Sequence, residues 1–196
     1  MKRIQMFEPK KHTLVWPIQS DKSEPIQTVT IHTITMGQHR DFSQQNKSEK
    51  HKANNDTKLL RACISESTGL TEKELKTLVT PDYTSIQNHV LELMNATASQ
   101  LIEGEFDKAA PTLLIPIQGD DGQQKTSYKL RPPTVATTDL MDTHEDEWER
   151  TIFISSSCSG FTKAELARLS LPDWNQLQER LIDFLEQPAD YFRPKT

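Results

Sequence analysis

The sequence predicts an α+β protein in which one small unit is used twice, each copy a β-hairpin followed by about three α-helices. Three observations carry this reading. The block Thr13-Leu14-Val15-Trp16-Pro17-Ile18-Gln19 returns 99 residues on as Thr112-Leu113-Leu114-Ile115-Pro116-Ile117-Gln118. Gly69-Leu70-Thr71-Glu72-Lys73-Glu74-Leu75 returns 91 residues on as Gly160-Phe161-Thr162-Lys163-Ala164-Glu165-Leu166. At the same spacing, Pro81-Asp82-Tyr83 is matched by Pro172-Asp173-Trp174 and Ile86-Gln87 by Leu177-Gln178. Order is kept and the change of spacing falls in one stretch, so internal repetition sets the domain organisation before any element is assigned.

The second copy shows the elements most plainly. Thr112 to Gln118 is rich in apolar and branched residues and predicts a strand. Gly119-Asp120-Asp121-Gly122 supplies the backbone freedom of a turn. Gln124 to Leu130 alternates, with Tyr128 and Leu130 opposed to Ser127 and Lys129, which predicts a half-buried strand. Pro116 argues for an edge strand, and Pro132-Pro133 ends the hairpin by removing two ladder donors.

Helices should follow. Asp139 is the expected cap of the first, which carries Leu140, Trp148, Ile152 and Phe153 inward and stops near Gly160. Thr162 and Glu165 form a capping box, flanked by Phe161 and Leu166 as a hydrophobic staple; Thr71, Glu74, Leu70 and Leu75 repeat the device. A last helix starts at Pro172 and places Trp174, Leu177, Leu181 and Phe184 on one stripe; Tyr83, Ile86, Val90 and Leu93 are its counterpart. The expected organisation is an N-terminal tail over 1–11, a first repeat over 12–94, a linker over 95–110, a second repeat over 111–190 and a C-terminal tail over 191–196. The first repeat holds a polar insertion at about 43–57, read as a loop or frayed helix start. The start of the linker is expected to prolong the last helix of the first repeat to about Gly104.

Composition bounds the function. Units of this size bury only about 60–65% of their unfolded surface. A net charge of −5 argues against a broad nucleic-acid surface. No run of 18 apolar residues suggests a membrane span, and no apolar segment follows the first charged residues as in a signal peptide. Cys63 and Cys158 are two isolated thiols, expected to be reduced and partly buried. After the hairpins, residues 40–61 carry six Lys/Arg against three Asp/Glu, or +3, whereas 139–150 carry one Arg against six Asp/Glu, or −5. Opposite signs on duplicated segments suggest docking of one copy on the other or on a neighbouring chain in a homo-oligomer; solvated, unpaired faces are an equal alternative.

No catalytic, cofactor-binding or metal site is expected. The six histidines lack the i, i+4 spacing of a helical metal site, and the two cysteines do not form a zinc pair. His144 beside Glu145-Asp146-Glu147 is the best metal candidate, but such a run is usually a solvated helix face. Ser155-Ser156-Ser157-Cys158-Ser159-Gly160 lacks the Gly-x-Ser-x-Gly elbow and is better explained as a helix end. Asp82 and Asp173 fall in the first turn of a helix, where a carboxylate suits the dipole.

With these features in order, the unit resembles the tail assembly chaperones of Mu-like phages and prophages. The features are Pro116-Ile117, Asp121-Gly122, Leu130-Arg131-Pro132-Pro133-Thr134, Asp139, Ser159-Gly160-Phe161 and Asp173-Trp174, and in the first copy Pro17-Ile18, Asp41, Thr68-Gly69-Leu70 and Asp82-Tyr83. The first copy departs at the strand end, where His32-Thr33-Ile34-Thr35 replaces Arg131-Pro132-Pro133-Thr134. The resemblance implies a non-enzymatic helper in the bacterial host cytoplasm, absent from the mature virion, with the tape measure and tail tube proteins as partners. It implies no cofactor, nucleic acid or membrane. The alternatives are a structural tail or baseplate protein kept in the virion, or an unrelated small binding module. Candidate partner-binding residues are Trp16, Ile115, Tyr191 and Phe192, apolar side chains left over once each small core is filled.

Overall fold

A computed structural model of the chain describes residues 7–20, 24–47, 52–102 and 106–193. The chain is α+β, with two repeats that each open on an antiparallel hairpin. Two compact units result. One comprises Phe7–Ala96 with Ser170–Pro172; the other comprises Thr97–Leu169 and the chain from Asp173 on.

The first hairpin pairs β1 (Lys10–Gln19) with β2 (Pro25–Ile31). Leu14 and Ile18 of β1 and Val29 and Ile31 of β2 are buried. The register shifts between Thr13 and Ile18, so Val15, Trp16 and Pro17 are three consecutive exposed residues instead of alternating. Helices α1 (Met36–Lys47), α2 (Lys52–Thr68), α3 (Glu72–Thr77) and α4 (Thr80–Asn95) follow. Residues 48–51, inside the polar insertion and the basic segment, lie outside the described residues, but the described flanks of the insertion are helical. Ile86, Val90 and Leu93 of α4 are buried and Tyr83 is half-buried, as the stripe predicts; α4 packs on β1, β2 and α2. The helix stops at Asn95 rather than continuing toward Gly104. Ala96 turns to extended backbone (φ −70°, ψ 153°), and Gln100 accepts the Thr97 amide to start a separate short helix, α5 (Ala98–Leu101).

The second repeat has β3 (Thr112–Gln118) and β4 (Gln124–Ser127), then α6 (Val135–Asp142), α7 (Glu147–Ser159), α8 (Lys163–Arg168) and α9 (Leu171–Glu186), and ends in a 3-10 turn, Ala189–Phe192. Four helices therefore follow each hairpin, and in this repeat two local caps divide the stretch expected to be one helix ending near Gly160 into α6 and α7. Thr134, not Asp139, caps α6 by accepting the Thr137 amide (3.2 Å), and Asp139 lies inside that helix. The chain breaks at Thr143–Asp146, where the Arg150 guanidinium donates to the His144 and Glu145 carbonyls and Asp146 accepts the Glu149 amide to start α7. Leu140 is exposed at 57%, whereas Ile152 is buried. The core collects Leu113, Leu114 and Ile117 of β3, Tyr128 and Leu130, Phe161, and Leu177 and Leu181 of α9.

Candidate functional site

The irregular middle of β1 sets the problem the site must solve. A strand that breaks register leaves amides without ladder partners, and a buried amide must be satisfied. Asp82, buried in the first turn of α4, supplies the acceptors. Its carboxylate takes the Val15 and Trp16 amides, both at 3.1 Å, and the His12 ring Nε2 at 3.2 Å. Burial opposes ionisation of this group and is its largest single influence. The Trp16 and Val15 amides and the His12 ring together outweigh it and hold the carboxyl below the usual carboxylate range. The second repeat builds the same clamp: Asp173, at the start of α9, accepts the Leu114 amide at 2.7 Å and the Ile115 amide at 3.3 Å. Asp82 and Asp173 therefore do more than complement a helix dipole. They tie the last helix of each repeat to its first strand.

Two further equivalences run through both copies. Glu74 and Glu165 close the capping boxes onto Thr71 and Thr162, and their second oxygens reach the hairpin turns. Glu74 accepts from the Ser20 hydroxyl (3.2 Å); Glu165 accepts the Asp120 amide (2.9 Å) and pairs with Lys125 (2.6 Å). Burial again opposes ionisation of Glu165, and Lys125 with the Asp120 and Thr162 amides holds its carboxyl low. At the ends of α2 and α7, Gly69 and Gly160 take left-handed backbone (φ +70° and +75°), and the hydroxyls of Ser65 and Ser156 donate to the carbonyls of Leu70 and Phe161. The Ser155–Gly160 run is thus the machinery of a helix end. Ser159 donates back to Ser155, whose own hydroxyl accepts from Gln178.

The clamps fix which side chains of the strand face outward. Trp16 is 50% exposed and Ile115, its counterpart 99 residues on, 37% exposed. In each repeat the anchored backbone thus presents apolar side chains beside a buried carboxylate, Val15 and Trp16 in the first and Ile115 in the second. The other two candidates sit together elsewhere. Tyr191 is 51% exposed, while Phe192 is half-buried against Phe184 with ring centroids 5.4 Å apart. The Arg180 guanidinium lies 4.9 and 5.0 Å from the Phe184 and Phe192 centroids and pairs with Asp183 at 2.8 Å. Phe192 therefore closes the end of α9, and Tyr191 is the more accessible of the pair.

A family model described as phage tail assembly chaperone proteins, E, or 41 or 14, matches the chain twice, over residues 11–95 and 110–186. The chain belongs to this family. It carries the family domain as a tandem duplication, and the two matched stretches each contain a hairpin, an Asp clamp and a capping box. No curated protein and no solved structure matches it. In this tail assembly chaperone domain, Trp16 and Ile115 lie inside the matched stretches and Tyr191 and Phe192 beyond them.

Among the described residues, no three His, Cys, Asp or Glu side chains come together as a metal-holding group, and no helix is long and apolar enough to cross a membrane. His144 lies against the Phe153 ring, 5.1 Å between centroids. Cys63 and Cys158 are buried in α2 and α7, and burial pushes both thiols up to about 11. The clamp was missed from sequence because Asp at a first helical turn has a sufficient local explanation. The available signal was its recurrence with the strand block: Asp82 follows Val15 by 67 residues and Asp173 follows Leu114 by 59.

Proposed function

We propose that this chain is a cytoplasmic, non-enzymatic assembly factor that binds the tape measure protein and keeps it soluble while tail tube subunits gather on it. The observation that carries the proposal is the twofold match to the tail assembly chaperone family, with the same clamped hairpin in each copy. The physical logic supports it. A tape measure chain exposes long apolar helical faces, and covering them calls for repeated apolar contacts rather than chemistry. Trp16 and Ile115, presented at equivalent positions, are suited to two such contacts. Linking the copies raises the effective concentration for the second contact to about millimolar, so two weak sites add up to useful avidity.

The test is co-expression with a tape measure protein from the same genome. The expected result is a soluble complex that co-purifies. If the tape measure protein is equally soluble alone and the two never co-purify, the proposal fails. Stoichiometric recovery of this chain from purified virions would replace it with a structural role.

A further inference from the structure

The two copies solve one packing problem differently. In the second repeat, Trp148 of α7 stacks on Trp174 of α9, with ring centroids 6.0 Å apart and planes inclined by 37°. Ile152, one turn further along α7, is buried, and so are Leu166 and Leu169. The counterparts 91 residues earlier are Thr57 for Trp148, Arg61 for Ile152 and Tyr83 for Trp174. Neither Thr57 nor Arg61 can supply an apolar ring to the space between α2, α3 and α4. An open cavity of about 240 Å³ lies there. Buried Leu75 and Leu78 form its floor, half-buried Tyr83 a wall, and exposed Arg61, Lys76 and Glu72 its rim.

We propose that this cavity of the first repeat is a docking site for an aromatic side chain, Trp above all, carried on a partner segment with a carboxylate beside it. In the second repeat Trp174, the counterpart of Tyr83, has an indole, that of Trp148, against its ring, which shows that this aromatic position takes a second ring. Its size supports one side chain rather than a cofactor, since small-molecule sites occupy roughly 300–1,000 Å³. A ring seated against Tyr83 and the two leucines gains apolar burial and an offset aromatic contact, the usual composition of an interface hot spot. The carboxylate follows from the rim. Arg61 and Lys76 are two cations against the single anion Glu72, which pairs with Lys76 at 2.6 Å.

The experiment uses the full chain and the dipeptide N-acetyl-Asp-Trp-amide, followed by two-dimensional NMR, with N-acetyl-Lys-Leu-amide as control. The Asp-Trp probe should give saturable shifts centred on Leu75, Leu78 and Tyr83, and the control none. Two variants complete the test. Thr57→Trp with Arg61→Ile grafts the filling of the second repeat and should abolish the shifts. Arg61→Glu leaves the cavity open, replaces an attraction to the carboxylate by a repulsion, and should weaken Asp-Trp binding about tenfold, or about 1.4 kcal/mol. Shifts that are absent, scattered, or equal in wild type and both variants overturn the proposal. So do shifts of the same resonances that grow with protein concentration before any peptide is added, which would assign the groove to a second copy of the chain. Failure here leaves the co-expression result untouched, so the two proposals can fall separately.

Discussion

Replacing Asp82 by Ala removes the acceptors for three donors at once. The Val15 and Trp16 amides lose carboxylate partners at 3.1 Å, and the His12 ring loses one at 3.2 Å. Hydrogen bonds to charged groups contribute roughly 1.5–3 kcal/mol each, but Val15 and Trp16 are exposed at the side chain, so water can reach part of this backbone. Taking about 1 kcal/mol per amide and somewhat less for the half-buried imidazole gives about 3 kcal/mol for Asp82→Ala. In a unit of this size that lowers Tm by more than about 10 °C. Asp82→Asn keeps one acceptor oxygen and turns its amide NH2 toward the other donor, so about 2 kcal/mol is expected. Urea unfolding followed by circular dichroism measures the loss, and hydrogen exchange locates it, since the Val15 and Trp16 amides should lose protection first. The folded carboxyl is held below its unfolded value, so its contribution is present above about pH 4 and disappears as pH falls through the folded pKa. The difference between wild type and Asp82→Asn should therefore shrink in acid. A loss under about 0.5 kcal/mol for Asp82→Ala, or undiminished protection of both amides, would refute the clamp.

Gly160→Ala should cost about 1–2 kcal/mol although nothing lies within 4 Å of the added methyl, because the residue stands at φ +75°; Gly160→Asn should cost less, and thermal melts rank the two. Cys63 and Cys158 should resist thiol reagents near pH 8, where a thiol titrating at about 11 is ionised to about one part in a thousand, and react at once in denaturant. The double change Trp16→Ser with Ile115→Ser should lower Tm by several degrees, since the side chains are only 50% and 37% exposed, but leave the chain folded at about 25 °C and sharply reduce co-purification with the tape measure protein. Unchanged recovery would move the partner surface elsewhere.

What the sequence determined by itself was everything decided within a few residues or by direct repetition. The capping boxes at Thr71 and Thr162 are where Thr-x-x-Glu places them, because both donors and both acceptors lie in a single turn. The hairpins and the left-handed Gly69 and Gly160 were legible for the same reason, and the duplication needed only a comparison of the chain with itself. The break between α6 and α7 was also local, but Asp146 was hidden in an acidic run that equally suits a solvated helix face. Tertiary structure alone decided the rest. Asp82 and Asp173 became strand clamps only when folding brought residues 67 and 59 positions away within hydrogen-bonding distance, and no local pattern encodes such a partner. The same holds for Thr57, Arg61 and Tyr83. As letters they are ordinary substitutions for Trp148, Ile152 and Trp174, and only packing three helices around one space gives the first repeat a cavity beside Tyr83, whereas in the second Trp148 lies against Trp174.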